Sequence, residues 1–203
     1  MIFTLPEAPF AMEFTTWAAS NIPHLADSGL SGYLQVTVDS APPVDLPGVP
    51  DKIAGLMGNT MILDTQDEAE IYSIFQPLNE TIEERWPGQA FSVFIIEPFD
   101  SWWDWFSVHF DPSEAGGSFY LISRLLDKNL LTNDLEVLSD ALEPVLINDG
   151  WLATYIVAGT GVHDAEPRGG GNSVHPAWRT AYVHACKYTM QQDTVFGHIR
   201  GHG

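Results

Sequence analysis

Apolar side chains recur every three or four residues in three segments of the chain, a period that predicts amphipathic helices. Thr65 and Glu68 precede the second segment at the spacing of a capping box, and Asn133 and Glu136 precede the third at the same spacing. Pro23 predicts the end of the first helix, or a kink in it. The helices are predicted over residues 9–21, 67–84 and 133–146.

The segments between these helices are rich in β-branched and aromatic residues, which predicts strands in pairs. Prolines make 41–50 a loop, and the aromatic stretch 100–117 predicts a loop or a short helix. The strands are predicted over residues 32–38, 53–63, 89–97, 118–125, 151–162 and 180–188. Strand pairs separated by helices predict an α+β fold with a single antiparallel β-sheet and helices packed on one face. We expect one domain over 1–192 and a C-terminal tail over 193–203.

The charge balance excludes several classes of partner. Eight Lys and Arg against 27 Asp and Glu give a formal net charge of −19, and such a surface repels nucleic acid and anionic lipid. No apolar run in the sequence approaches the roughly 20 residues of a membrane span, and residues 1–7 show no secretory signal. The sequence therefore predicts a cytoplasmic protein without nucleic-acid or membrane partners.

The cysteine and histidine content argues against a disulfide and against a metal site. Cys186 is the single cysteine, so it has no intrachain partner for a disulfide or a thiolate zinc cluster. The seven histidines include no HExxH pattern and no pair one helical turn apart beside a carboxylate within a predicted helix. No metal is therefore predicted.

Three strings of residues occur in an order and at distances that identify a family. They are LADSGLSGY at 25–33, SRLLD at 123–127, and NSVHPAWR at 172–179 with Val183-His184 after it. Together they resemble the substrate-binding domain of fungal FAD-linked oxidases related to berberine bridge enzyme, over about residues 10–190. The resemblance implies that the uncovered face of the antiparallel sheet contacts substrate.

The resemblance does not extend to the flavin-binding part of that family. There, a separate domain holds FAD through a Gly-rich pyrophosphate loop and a covalent anchor. Gly169-Gly170-Gly171 is the one glycine cluster in this sequence, and it is not placed between a strand and a helix as a dinucleotide site requires. We therefore expect the chain to bind neither FAD nor FMN and to use no cofactor.

The uncovered sheet face is where we expect catalytic residues. Period-two alternation places Tyr182 and His184 on one face of the last strand, and Tyr155 projects from the preceding strand. His184 is the candidate acid or base, Tyr182 a hydrogen-bond donor, and Tyr155 a phenol that orients a carbonyl. The alternative is an ordinary half-buried face with a packed Tyr155 and a histidine satisfied by a neighbour.

A second group of residues is predicted to bind substrate. Arg124 lies in an apolar strand and either clamps a substrate anion or pairs with an internal acid, which is the alternative we favour. Glu97 lies at the end of a predicted strand and is either a general acid or an ordinary solvated carboxylate. An aromatic cluster follows this strand in the sequence and forms either a side wall of the substrate site or part of the core. Its residues are Trp102, Trp103, Trp105 and Phe106.

Three functions remain open. The first, which the sequence favours, is a flavin-independent stand-alone enzyme of secondary-metabolite biosynthesis. It would catalyse a non-redox cyclisation, pericyclic or isomerisation reaction on a small apolar substrate, by orientation and one or two hydrogen bonds. The second is a non-catalytic ligand-binding or accessory protein, and the third is a fragment of an FAD-dependent oxidase. Because the uncovered face is expected to be apolar, we also expect a homodimer through it.

Overall fold

The protein folds into a seven-stranded sheet with helices against it. This computed structural model describes residues 1–110, 112, 119–166, 168 and 174–190. The strands are β1 (Ile2–Thr4), β2 (Ser31–Ser40), β3 (Ile53–Met61), β4 (Ala90–Ser92), β5 (Phe119–Asp127), β6 (Trp151–Ile156) and β7 (Ala181–Met190). The helices are α1 (Ala11–Ser20), α2 (Ile22–Asp27), α3 (Glu68–Arg85), α4 (Trp102–His109), α5 (Lys128–Thr132), α6 (Leu135–Asp149) and α7 (Thr160–His163), with a 3-10 turn over Pro176–Arg179.

All described strands join one sheet. Their order across it is β4-β1-β3-β2-β6-β7-β5, and every pair of neighbours is antiparallel. The predicted α+β class with a single antiparallel sheet is confirmed. None of the helices in the described ranges combines the length and the apolarity that crossing a bilayer requires.

One continuous core lies between the sheet and the helices. Phe14 and Trp17 of α1 pack on Trp86 at the end of α3, with ring centroids 5.0 and 5.2 Å from it. The sheet contributes alternate residues such as Val36 and Val183, both fully buried. The apolar stripes of α3 and α6 join the same core, which confirms that the three predicted helical segments pack on one face.

The helix boundaries differ from the prediction for local reasons. The first helix ends at Ser20, close to the predicted residue 21, and Pro23 then occupies the first turn of a new helix, α2, where its missing N–H is tolerated. Asp67 caps α3 by accepting from the Ala69 amide, whereas Thr65 donates its hydroxyl to Glu70. Asp134, and not the predicted Asn133, caps α6. In α3 and α6, an aspartate closer to the helix takes the capping position in place of the predicted residue.

The predicted strands also differ in extent. The strand expected over 89–97 is only three residues long, as β4, and it pairs with β1, which the sequence pattern did not reveal. Such short strands show too little alternation to be recognised. The strand expected over 151–162 ends at Ile156, and α7 follows. Position 118, the glycine cluster 169–171 and the tail 193–203 lie outside the described residues.

Gly55 is the position where β1, β3 and α1 come closest together. Its φ is +143°, and it pairs directly with Phe3 of β1. An added Cβ would overlap the Ile2 carbonyl oxygen and stand 3.0 Å from the Phe14 ring. The first obstacle is strand backbone and the second is a fully buried ring, so neither can shift without a large loss of packing.

We predict that Gly55→Ala destabilises the protein by about 3 kcal/mol, because it forces strand separation and backbone strain. Urea unfolding at neutral pH measures this loss. Gly161→Ala is the matched control, since a Cβ there meets open space, and it should stay within about 0.5 kcal/mol. Equal midpoints for the two variants would contradict the assignment of Gly55 as a packing constraint.

Candidate functional site

Aromatic side chains line up on the face of the sheet opposite the helical core. Tyr33 of β2 stands directly opposite Tyr155 of β6, which stands opposite His184 of β7. The Tyr33 and Tyr155 ring centroids are 5.1 Å apart, and Trp178 of the 3-10 turn is 5.1 Å from the His184 ring. Tyr33 is 64% exposed. We call these four residues the aromatic row, and no described helix covers it.

His184 has a thiol as its polar neighbour. The Cys186 sulfur lies 3.4 Å from both ring nitrogens, and burial raises the pKa of that thiol, which keeps it neutral at physiological pH. Histidine takes part in none of the ion pairs found within the described ranges. Among the described residues no carboxylate therefore orients the His184 imidazole, which pairs across the sheet with Tyr155. This pair can exchange a proton with a ligand and donate a hydrogen bond to it.

Tyr182 does not belong to the aromatic row, contrary to the prediction. Asp127 pairs with Ala181 and Leu126 with Val183, so Tyr182 is an extra residue in β7. Two consecutive residues of such a β-bulge project to nearly the same side, which breaks the alternation. The Tyr182 ring consequently packs against the helical core, and its hydroxyl donates to the Asp27 carboxylate at 2.7 Å.

Asp27 is the centre of a polar junction between α2, α5 and β7. It accepts from Lys128 Nζ and from the Tyr182 hydroxyl, each at 2.7 Å. Burial alone would raise the pKa of Asp27, but these two hydrogen bonds and the Lys128 charge outweigh it and lower that pKa. Burial and the bond to Asp27 raise the pKa of Tyr182. The His163 ring completes the junction 4.8 Å from the Tyr182 ring.

This junction gives the three sequence strings a structural role. Asp27 belongs to the first string, Lys128 follows the second, and Tyr182 lies just after the third. The strings therefore meet where the β5–β7 pair joins α2. Of the string residues, Asp27 takes part in this junction, whereas Tyr33 and Trp178 belong to the aromatic row.

Arg124 is placed differently from the prediction. It stands opposite Ala185, so it belongs to the helix side of the sheet and not to the side of His184. Strand β5 is the edge of the sheet, and the Arg124 side chain is exposed there, bonded to the Ser123 carbonyl oxygen at 2.9 Å. The internal ion pair that the sequence favoured is absent from the described residues.

The aromatic cluster of α4 is neither core nor a wall of the aromatic row. The helix buries none of its residues, and Trp102 and Trp103 are 59% and 68% exposed. Trp102 and Trp105 instead line a separate cleft, together with Glu97. No member of the aromatic row lines this cleft. Phe106 and Trp103 pack on each other outside it, with centroids 5.9 Å apart.

This second site lies along a free edge of β3, and we call it the edge cleft. Strand β1 pairs with β3 only as far as Leu56, so no described strand pairs with residues 57–61 on that side. The segment 93–102 runs past this edge and encloses a space of about 850 Å³. The single predicted site is thus divided into two places, the aromatic row and the edge cleft.

Sequence reasoning missed three residues of these places. Tyr33 and Trp178 stand within the strings that carry the resemblance, and His109 follows the tryptophans in α4. Pairing the predicted strands would have placed Tyr33 beside Tyr155. The spacing of Trp105 and His109, one helical turn apart, indicates that their rings stack, as they do at 5.1 Å.

A flavin does not fit these residues as a resident cofactor. A dinucleotide pyrophosphate is held by a Gly-rich turn between a parallel strand and a helix. All strand pairs that the structure describes are antiparallel, so its described residues contain no such unit. The described part of the chain therefore lacks this type of pyrophosphate site.

Comparison with known proteins supports the fold. No family model and no curated protein matches the sequence. A crystal structure of a VAO-type flavoprotein from Myceliophthora thermophila C1 is similar, with a TM-score of 0.67 and 17% sequence identity. The match covers 93% of this chain and 33% of that one, so the chain spans about a third of the flavoprotein's length. At this identity the likeness shows a shared fold.

We predict that the Asp27 junction makes stability depend on acid pH. Because the folded pKa of Asp27 is lowered, its stabilisation is complete above the ordinary value near 3.9 and is lost as pH falls through the lower folded value. Asp27→Asn should remove about 1 kcal/mol or less at pH 7, since the pair is partly exposed. Its unfolding midpoint in urea should then approach that of the unmodified protein as pH is lowered.

Glu83→Gln is the control for this prediction, because it removes one charge from an exposed position without a described ion pair. Its midpoint should change with pH in parallel with that of the unmodified protein. An Asp27→Asn variant that behaves like Glu83→Gln would show that the junction does not stabilise the fold.

Proposed function

We propose that the chain is the substrate-binding part of an FAD-dependent oxidase, and that it binds a small apolar molecule on the aromatic row. The observation that carries this proposal is the row itself, a line of rings on a sheet face that no described helix covers, in which Tyr33 is exposed and the other three rings are half-buried. Support also comes from the similar flavoprotein, in which this fold makes up about a third of the chain. The flavin would be held by another part, outside the described residues.

The aromatic row suits a flat ligand. Tyr33 and Tyr155 meet edge to face, an arrangement that presents ring surface along the row. The small Ala153 and Cys186 pair with each other beside the row and are buried. A shallow hollow lined by Trp178 and Val162 continues beyond His184. In this arrangement the chain orients a ligand, and His184 exchanges its proton.

A second candidate function is the flavin-independent cyclase or isomerase that the sequence favours. The specific observation for it is the direct pairing of Tyr155 with His184, which places a phenol and an imidazole side by side. Proton transfer and one hydrogen bond are sufficient for a non-redox isomerisation or ring closure of an oriented substrate. Either function leaves an aromatic face that a second copy of the chain can cover, so we retain the homodimer as part of both proposals.

We predict that the chain alone binds the neutral flat dye Nile red on the aromatic row and shows no micromolar affinity for FAD. Fluorescence titration measures both. Tyr33→Ala and Tyr155→Ala should each weaken dye binding about fivefold, because each removes a ring contact. Tyr72→Ala removes an exposed tyrosine from α3 and serves as the matched control. Light scattering on the same samples tests whether dye displaces a dimer.

If Tyr72→Ala lowers the affinity for Nile red as much as the two row variants do, the dye does not bind on the aromatic row. Tight binding of FAD by the chain alone would overturn the division into a flavin part and a substrate part. A monomer at every concentration would contradict the homodimer.

We predict that, if the second function holds, the protein accelerates the Kemp elimination of 5-nitrobenzisoxazole, a cofactor-free proton abstraction from a flat apolar substrate. His184→Ala should lower that rate by about 100-fold, because it removes the base. His109→Ala, which removes a histidine from the edge cleft, should leave the rate unchanged. A chain that gives no acceleration over buffer, or a His184→Ala variant with the full rate, would contradict the second function.

A further inference from the structure

The edge cleft has the size and surface of a small-molecule site. Its volume of about 850 Å³ is within the range of pockets that bury a drug-sized ligand. The inner surface is apolar, with Leu34, Leu56 and Leu78 almost fully buried behind it. The unpaired edge of β3 over 57–61 adds backbone N–H and C=O groups to the lining. Apolar surface with a few polar groups is typical of a ligand pocket.

One wall of the edge cleft is a stack of aromatic rings. The Trp102 and Trp105 centroids are 4.9 Å apart, and the Trp105 and His109 rings are nearly parallel at 5.1 Å. His109 Nδ1 lies 3.0 Å from the Trp105 carbonyl oxygen, which fixes that ring. Ser101 caps the helix by accepting from the Asp104 amide. The stack is therefore held in place, and the faces of its indole rings attract cations.

The charged side chains of the edge cleft have one sign. Asp64, Glu68, Glu97 and Asp100 line it, and none of its described lining residues is Lys or Arg. The Met1 amino group also lines the cleft, but burial lowers its pKa to about 6, so it is mostly neutral at pH 7. Ion pairs within the described ranges involve other carboxylates, those of Glu13, Asp27 and Asp39. Four carboxylates around one apolar space create a negative potential that a bound cation relieves.

We propose that the edge cleft binds a flat apolar cation, a ring system that carries a protonated or quaternary nitrogen. The ring system packs on the exposed apolar side chains of the lining, such as Leu63 and Ile95, and the charged nitrogen lies against the Trp102–Trp105 stack among the carboxylates. Apolar area supplies the affinity, and the aromatic faces and the negative charge select a cation over an anion of the same shape. This site is separate from the aromatic row and stands whether or not the proposed function does.

The test compares two naphthalene probes of opposite charge on the full chain. N,N,N-trimethyl-2-naphthylammonium is the cation and naphthalene-2-sulfonate the anion. Calorimetric titration in 0.15 M salt confines long-range charge effects to about 8 Å. We expect the cation to bind at least about tenfold more tightly than the anion. Glu97→Gln and Trp105→Leu should each weaken cation binding about fivefold, and they should leave the anion unaffected.

Two control variants separate this site from the net charge and from the aromatic row. Glu83→Gln removes the same charge from α3 outside the cleft, and Tyr33→Ala removes a ring from the row. Both should keep the affinity for the cation. Circular dichroism checks that all four variants are folded.

Three results would overturn the proposal. The first is equal affinity for the two probes, which would indicate a simple apolar cleft. The second is an equal effect of Glu83→Gln and Glu97→Gln, which would indicate attraction by the whole acidic surface. The third is no binding of either probe together with a dimer that Trp105→Leu dissociates, which would make the cleft an interface between two copies of the chain.

Discussion

The bulge at Tyr182 determines what each face of the sheet presents. The Asp27 carboxylate accepts the Tyr182 hydroxyl at 2.7 Å and draws this extra residue toward the helices. Beyond the bulge the alternation resumes, so Val183 enters the core and His184 faces away from it, opposite Tyr155. Without the bulge, period-two alternation would place Tyr182 on the same face as His184. The bulge thus separates Tyr182, which bonds to Asp27 on the helix side, from His184, which belongs to the aromatic row.

The sequence predicted the sheet and its helices because those features repeat along the chain. The apolar stripes of α3 and α6 span several turns, and in the structure the same side chains pack into the core. Alternation likewise placed Tyr155 and His184 correctly. It failed at Tyr182 because a bulge is a property of two paired strands, and the partner strand β5 is distant in sequence. Local pattern contains no information about that register.

Apolar composition misled the prediction at two positions. Arg124 has apolar neighbours in sequence, which suggested burial, yet it lies on an edge strand where one side is solvent. The tryptophans of α4 suggested core, but the helix packs none of them away. Burial depends on which element lies opposite, and neither the strand order nor the path of residues 93–102 can be read from one sequence. For the same reason, the sequence could not show that the predicted site is divided into two places.

Both candidate sites arise from one asymmetry of the fold. Helices α1, α3 and α6 cover one face of the sheet, and β1 and β4 end after three residues. The first fact leaves the aromatic row uncovered, and the second leaves residues 57–61 of β3 with a free edge. An exposed face and an exposed edge are liabilities for a folded protein unless something occupies them. A net charge of −19 opposes self-association without preventing the binding of small molecules, and it favours cations at the edge cleft. The fold thus leaves two surfaces of different chemistry, one neutral and aromatic and one aromatic and acidic, and the difference in charge selects between their ligands.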